Sequence, residues 1–110
     1  MITTFQDFEK ILNTMIAEEK EIGATKAQEY ANSDDRLANF RRLAKELDLT
    51  PEKVLWVYLK KHLDSIAYYI KAGCVKSDEP IESRIKDARV YLSLLRAMVE
   101  ERYSEQRVKV

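Results

Sequence analysis

The sequence predicts an all-α fold of four helices, bundle-like and oligomeric, and three observations predict it. The 110 residues include only two glycines and two prolines, and each falls where a helix would start or stop. Apolar residues recur at three- and four-residue spacings over long stretches, the period of a helix with one buried face. No alternating β-branched run and no Asn-Gly pair marks a strand or hairpin. The length suits one domain spanning residues 1–110.

The first helix is expected over about residues 4–22, with Thr4 as its cap and Gly23 in the left-handed position after its end. The second should start at Ser33 or Asp34 and end near Leu47, covering 34–47. The third opens with "TPEK": Thr50 caps it, Pro51 takes the first helical position and Glu52 sits at the positive end of the dipole. It should run over 51–72 and close at Gly73. The fourth opens at "SDEPIE", with Pro80 in its first turn, and covers 80–103, leaving Ser104–Val110 as a frayed tail.

Charge and cysteine narrow the function. Charged residues make up 35 % and apolar ones 45 %, the balance of a globular chain. Lys+Arg and Asp+Glu both number 19, so no global field draws nucleic acid or an anionic membrane. Anion binding must come from a local cluster. A single cysteine, Cys74, allows no intrachain disulfide. With no charged-then-apolar leader after Met1 and no run of about 18 apolar residues, a cytoplasmic location is expected.

Placed on a wheel of about 100° per residue, each helix carries one ionisable group within or beside its apolar arc. Glu19 lies between Phe8 and Leu12 on helix one, Arg36 between Leu43 and Leu47 on helix two. His62 is central on helix three, among Leu55, Tyr58, Leu59, Ile66, Tyr69 and Ile70. Helix four shows a main arc of Ile81, Ile85, Ala88, Leu92, Leu95 and Val99. A flanking stripe of Tyr91, Leu94 and Met98 holds Asp87. A buried lone charge costs several kcal/mol, so four such groups imply either a satisfied network or a polar pocket between helices. The arcs of helices three and four are wide enough to favour a homodimer or larger assembly.

Among motifs, Glu18 and Glu21, and Glu79 and Glu82, have the ExxE spacing that puts two carboxylates on one helical face, where they can hold Mg²⁺. The first pair falls outside the apolar arc, which favours a solvated face. "LAKELDLTPEKVLWVYLKK", Leu43–Lys61, has the outline of a helix-turn-helix. Asp48 stands where glycine is preferred, however, and the second helix, with Trp56, Tyr58 and Leu59, is too apolar for base edges. The stretch "KAQEYANSDDRLANF", Lys26–Phe40, is too rich in charge for a spacer. Lys26, Arg36, Arg41, Lys61 and His62 can converge where the second helix begins, and the backbone N–H groups of that helix start add an anion site. Tyr30, Phe40 or Tyr91 can stack on a base, and Asn39 can read its edge.

"KAQEYANSDDRLANF", "KKHLDSI" and "EPIESRIKDARVYLSLL" together resemble small, mostly phage-borne proteins related to the MazG-like, all-α NTP pyrophosphatases, over roughly Lys26 to Glu101. The resemblance implies a helical, usually oligomeric protein that handles nucleotides. In catalytic members Mg²⁺ sits on an ExxE pair and an ExxD pair, and a metal-bound water cleaves the triphosphate to monophosphate and pyrophosphate. Asp87 matches the ExxD aspartate, but Arg84 replaces its glutamate, and "KKHLDSI" puts Lys61 and His62 where an ExxE pair belongs. That exchange repels Mg²⁺ and attracts phosphate directly.

The expectation is therefore a nucleotide-binding protein without a cofactor. It would hold a phosphate-bearing ligand, such as a cyclic signalling nucleotide, without turnover and so sequester a host defence signal. Lys26, Arg36 and Lys61 would take phosphate, His62 and Asn39 would supply directional hydrogen bonds, and Tyr30 or Tyr91 would stack on the base. The alternatives are a Mg²⁺-dependent pyrophosphatase using Glu19 and Asp87 as metal ligands, and a DNA-binding or protein-interaction module.

Overall fold

The computed structural model describes residues 4–29 and 35–108. Four helices account for most of them: α1 (Phe5–Glu29), α2 (Ala38–Leu47), α3 (Pro51–Ala72) and α4 (Ile81–Val108). No strand occurs among the described residues, as the all-α reading requires. None of the described helices is long and apolar enough to cross a membrane. The chain divides into two compact units, residues 1–34 and 35–110.

Among the described residues the first unit is a single helix, α1. Thr4 caps it as expected, its Oγ1 accepting from the Asp7 backbone N–H at 3.0 Å. The end differs from expectation, because α1 continues through Gly23 to Glu29. One interior glycine costs a helix about 1 kcal/mol, and the residues that follow, Ala24, Lys26, Ala27, Gln28 and Glu29, are mostly strong helix formers that offset it. Phe5, Phe8, Leu12 and Ile16 form an exposed apolar stripe on α1, which a lone helix has no means of burying by itself.

In the second unit, α2 and α4 both pack on α3. The start of α2 lies later than expected. Asp35 accepts from the Leu37 backbone N–H at 2.9 Å, and this Asx-type turn makes Leu37 the residue before the helix. Ser33 and Asp34, the expected caps, lie outside the described residues. At the other end Asp48 is left-handed, with φ 57°, and the Leu49 N–H reaches back to the Ala44 carbonyl at 2.8 Å. Helix α3 matches its expected limits. Thr50 Oγ1 accepts from the Lys53 N–H at 3.2 Å, and Gly73, at φ 75°, closes the helix. Helix α4 runs past Tyr103 to Val108, since no Gly or Pro follows Pro80 to stop it.

The core gathers Leu37, Leu55, Leu59, Ala88 and Met98, with Phe40, Leu63, Ile66, Tyr91, Leu94 and Leu95 packed around them. On α4 the core takes Ala88 and Leu95 from the expected main arc and Tyr91, Leu94 and Met98 from the flanking stripe. Met98 is 2 % exposed, whereas Ile85, Leu92 and Val99 of the supposed main arc are 37–49 % exposed. Two ion pairs fasten the C-terminal half of α4. Arg102 grips Glu52 through Nε at 2.8 Å and a second contact through Nη2, and Arg41 Nη2 reaches Glu101 at 2.6 Å.

Two substitutions separate core packing from turn conformation. Leu55, 1 % exposed, should cost about 2–5 kcal/mol when cut to alanine. Asp48→Gly should raise stability by about 0.5–1 kcal/mol, since a left-handed backbone suits glycine better than any branched side chain. Urea titration of both variants checks the pair.

Candidate functional site

A cluster of rings ties the three helices together. Tyr58 of α3 and Tyr91 of α4 stack with centroids 6.2 Å apart and planes 4° from parallel. Phe40 of α2 meets both edge-on, at 6.2 Å from Tyr58 and 6.5 Å from Tyr91. The His62 ring also stacks on Tyr91, at 5.5 Å. His62 is buried, and that burial is the main reason its pKa falls below the ordinary histidine value; Asp87 opposes the shift, Arg84 and Lys61 add to it, and Glu79 opposes it.

Two charged groups approach the same ring nitrogen. Arg84 Nη1 lies 3.4 Å from His62 Nδ1, and Asp87 Oδ2 lies 3.8 Å from it. A neutral imidazole accepting from Arg84 at Nδ1 carries its proton on Nε2. Protonation at Nδ1 turns that acceptor into a donor, which suits Asp87 and repels Arg84. The other end of the guanidinium is held by Glu79, 3.1 Å from Nη2. Arg84 Nε is buried with no hydrogen-bond partner.

Arg84 also borders a cleft of about 410 Å³ between the second half of α3 and the 73–80 connection. Ser65 and Tyr68 come from α3, and Lys76, Ser77 and Glu79 from the connection. Lys76 Nζ stands 5.5 Å from the centre of the Tyr68 ring. Asp64 and Val75 complete the lining, and the Asp64 carboxylate is paired with Lys60. The cleft thus offers two cations, two hydroxyls and one aromatic face, with Glu79 already seated on one of the cations. A second, smaller cavity of about 240 Å³ lies beside Leu37 and Met98, and its charges are tied up in the Arg41–Glu101 and Arg102–Glu52 pairs.

The residues named from sequence fare unevenly. His62, Asp87 and Tyr91 do come together. Tyr91 stacks inside the protein on Tyr58 and His62, and Tyr68 is the ring that lines the cleft. Arg36 and Asn39 are partly buried around the start of α2, and Lys61 is exposed. Arg41 is committed to Asp35 and Glu101, with the hydrogen bond to Glu101 the main cause of its raised pKa. The Lys26 side chain and Tyr30 lie outside the described residues. Glu19 belongs to the first unit.

Mg²⁺ needs several oxygen ligands, and the neighbour that Asp87 Oδ2 meets, at 3.8 Å, is the imidazole Nδ1 of His62. Among the described residues no three His, Cys, Asp or Glu side chains are grouped to hold a metal ion. Sequence reasoning missed Tyr68, Lys76 and Ser77. The available signal was Arg84, which departs from the ExxD pattern by placing a cation there. Compared with family models, curated proteins and solved structures, the chain matches none.

The depressed His62 pKa gives a signed expectation. An unfolded histidine takes up its proton near pH 6.5, and the folded one does so lower. Below that value the unfolded state binds more protons, so stability is lost as pH falls. Melting temperatures between pH 8 and pH 5 should decline for the native chain and flatten in His62→Gln.

Proposed function

We propose that the chain binds a phosphate-bearing nucleotide in the Arg84 cleft, without a metal ion and without turnover. The observation that carries this reading is the grouping of Arg84, Lys76, Ser65, Ser77 and the Tyr68 face around about 410 Å³. That volume lies within the roughly 300–1,000 Å³ of small-ligand sites. Arg84 would exchange Glu79 for a phosphate and bind it through two N–H groups. Lys76 would neutralise a second phosphate charge, the Ser77 hydroxyl, which accepts from the Glu79 N–H, would donate to a remaining oxygen, and Tyr68 would stack on the base. The likeness to nucleotide-handling helical proteins supports the ligand class. Sequestration is the natural role of a binder that leaves its ligand intact, and self-association belongs to the same proposal.

Calorimetry with a panel of linear and cyclic nucleotides, with and without EDTA, tests it. Binding should survive EDTA. A charge-assisted contact is worth about 1.5–3 kcal/mol, so Arg84→Ala or Lys76→Ala should weaken binding roughly 10- to 100-fold. Binding that disappears with EDTA, or pyrophosphate release from a triphosphate that is lost in Asp87→Asn, would establish the Mg²⁺-dependent pyrophosphatase instead.

A further inference from the structure

The polar groups of the Arg84 cleft divide by wall. From α4 and the 73–80 connection come donors: the Arg84 guanidinium, the Lys76 ammonium and the Ser77 hydroxyl, with Glu79 already seated on Arg84. The α3 wall offers acceptors. Ser65 Oγ spends its proton on the Lys61 carbonyl at 3.2 Å, so a ligand meets only its lone pairs. The Asp64 carboxylate, held at one oxygen by the Lys60 ammonium, also accepts and does not donate. Position along α3 puts these groups in order. His62 is the residue that meets Arg84. At about 100° per residue, Ser65 lies about 60° round the helix from His62, Tyr68 about 60° beyond Ser65, and Asp64 about 40° beyond Tyr68. Guanidinium, hydroxyl, ring and carboxylate therefore follow one another across the cleft. Its two ends stand nearly one helix diameter apart, about 10–12 Å with side chains. That is the reach of a 5′-mononucleotide from its phosphate to the far edge of its base.

We infer that Asp64 selects the base, and that the cleft takes a guanine nucleotide. The inference rests on the nucleotide reading above. With phosphate on Arg84 and the base on Tyr68, the sugar passes Ser65, whose lone pairs accept from a ribose hydroxyl. The outer edge of the base then meets Asp64. A base arriving on the ring takes the place of the Lys76 ammonium, which is free to turn to the phosphate. Two carboxylate oxygens side by side match two adjacent donors. Each oxygen has two lone-pair sites, so the Lys60 contact leaves room for both. Guanine presents such a pair, its N1–H beside the amino group on C2. Adenine and cytosine set one amino group beside a ring-nitrogen lone pair, which repels the second oxygen. Uracil and thymine set one N–H between two carbonyl oxygens, which repel the carboxylate from both sides. A site made of acceptors rejects a base that lacks the donors, because its own polar groups are left unpaired.

Calorimetry of the whole chain with GMP, IMP and AMP tests the inference, since the three share ribose and phosphate and differ only in the base edge. Circular dichroism confirms that each variant remains helical. GMP should bind roughly tenfold tighter than AMP, the lower end for a charge-assisted contact because the Asp64 side chain is 63 % exposed. IMP, which keeps N1–H and lacks the amino group, should fall between them. Asp64→Ala should bring the three affinities together. Asp64→Asn puts an amide donor beside an acceptor and should transfer the advantage to AMP, whose amino group and ring nitrogen match that pair. Asp78→Ala, at an exposed carboxylate of the connection that is not part of the cleft lining, should keep the preference for GMP. Arg84→Ala should weaken all three alike. Equal binding of GMP and AMP by the native chain would overturn the inference and leave nucleotide binding standing. So would a GMP preference that survives Asp64→Ala. Binding of none of the three would overturn the inference and the nucleotide reading together.

Discussion

The second unit hangs on the contact of Tyr91 with Tyr58 and His62. Tyr91 is the ring in which α2, α3 and α4 meet: Phe40 comes edge-on from one helix, while Tyr58 and His62 stack from another. Aromatic pairs of this kind contribute about 0.5–1.5 kcal/mol beyond their burial. Geometry is the larger consequence. Once Tyr91 faces α3, the rotation of α4 about its own axis is set, and Met98 and Leu94 turn inward while Leu92 and Val99 turn out. The same rotation carries Arg84 and Asp87 to the His62 ring. A buried histidine beside an arginine is held neutral by desolvation first, and its one free lone pair gives the guanidinium a fixed hydrogen-bonding direction.

Arg84 therefore has two neighbourhoods. Toward the core it faces His62, and toward the 73–80 connection it holds Glu79. A guanidinium has five N–H donors in a rigid fork, and Nε remains buried without a partner. Leaving a donor unmet costs about 1–3 kcal/mol. The arrangement persists because moving Arg84 would break both of its other contacts at once. Gly73 matters at this point for a backbone reason. Its left-handed conformation ends α3 and starts the chain toward Lys76, Ser77 and Glu79, so the cleft wall begins at the one residue with no side-chain penalty for that turn.

How much of this was legible in the sequence depends on whether the signal was local. Caps and stops were: Thr4, Thr50, Pro51, Gly73 and Pro80 each act through the backbone within a few residues. Gly23 misled because its neighbours are strong enough helix formers to override it. The α2 start lies later than expected because an Asx turn at Asp35 holds the Leu37 N–H and the helix begins only after Leu37. Which edge of the broad apolar surface of α4 turns in was beyond local reading, since both stripes are sound helical faces and the ring contacts on α3 set the rotation that buries Ala88, Leu95 and Met98 together. For the site, His62 with Asp87 was legible as charge on apolar faces. The cleft was not. Its Lys76 and Ser77 sit in a connection without periodicity, and Tyr68 falls off the buried arc, so nothing in their spacing marked them.

Glu79 shapes what the cleft can accept. An incoming anion must displace a carboxylate already 3.1 Å from Arg84. A ligand with a single negative charge, such as a lone carboxylate, merely exchanges one partner for another and releases Glu79 to solvent, with little net gain. A phosphate changes the balance. It carries more charge, presents three acceptor oxygens, and can reach Lys76 and a serine hydroxyl while Arg84 holds it in a forked contact. The ring beside Lys76 adds a stacking face that no simple anion uses. The built-in carboxylate thus acts as a competitor that discriminates by charge and by reach. On the proposed function, selectivity for a nucleotide over smaller anions would arise from what the ligand must outbid as much as from what it contacts.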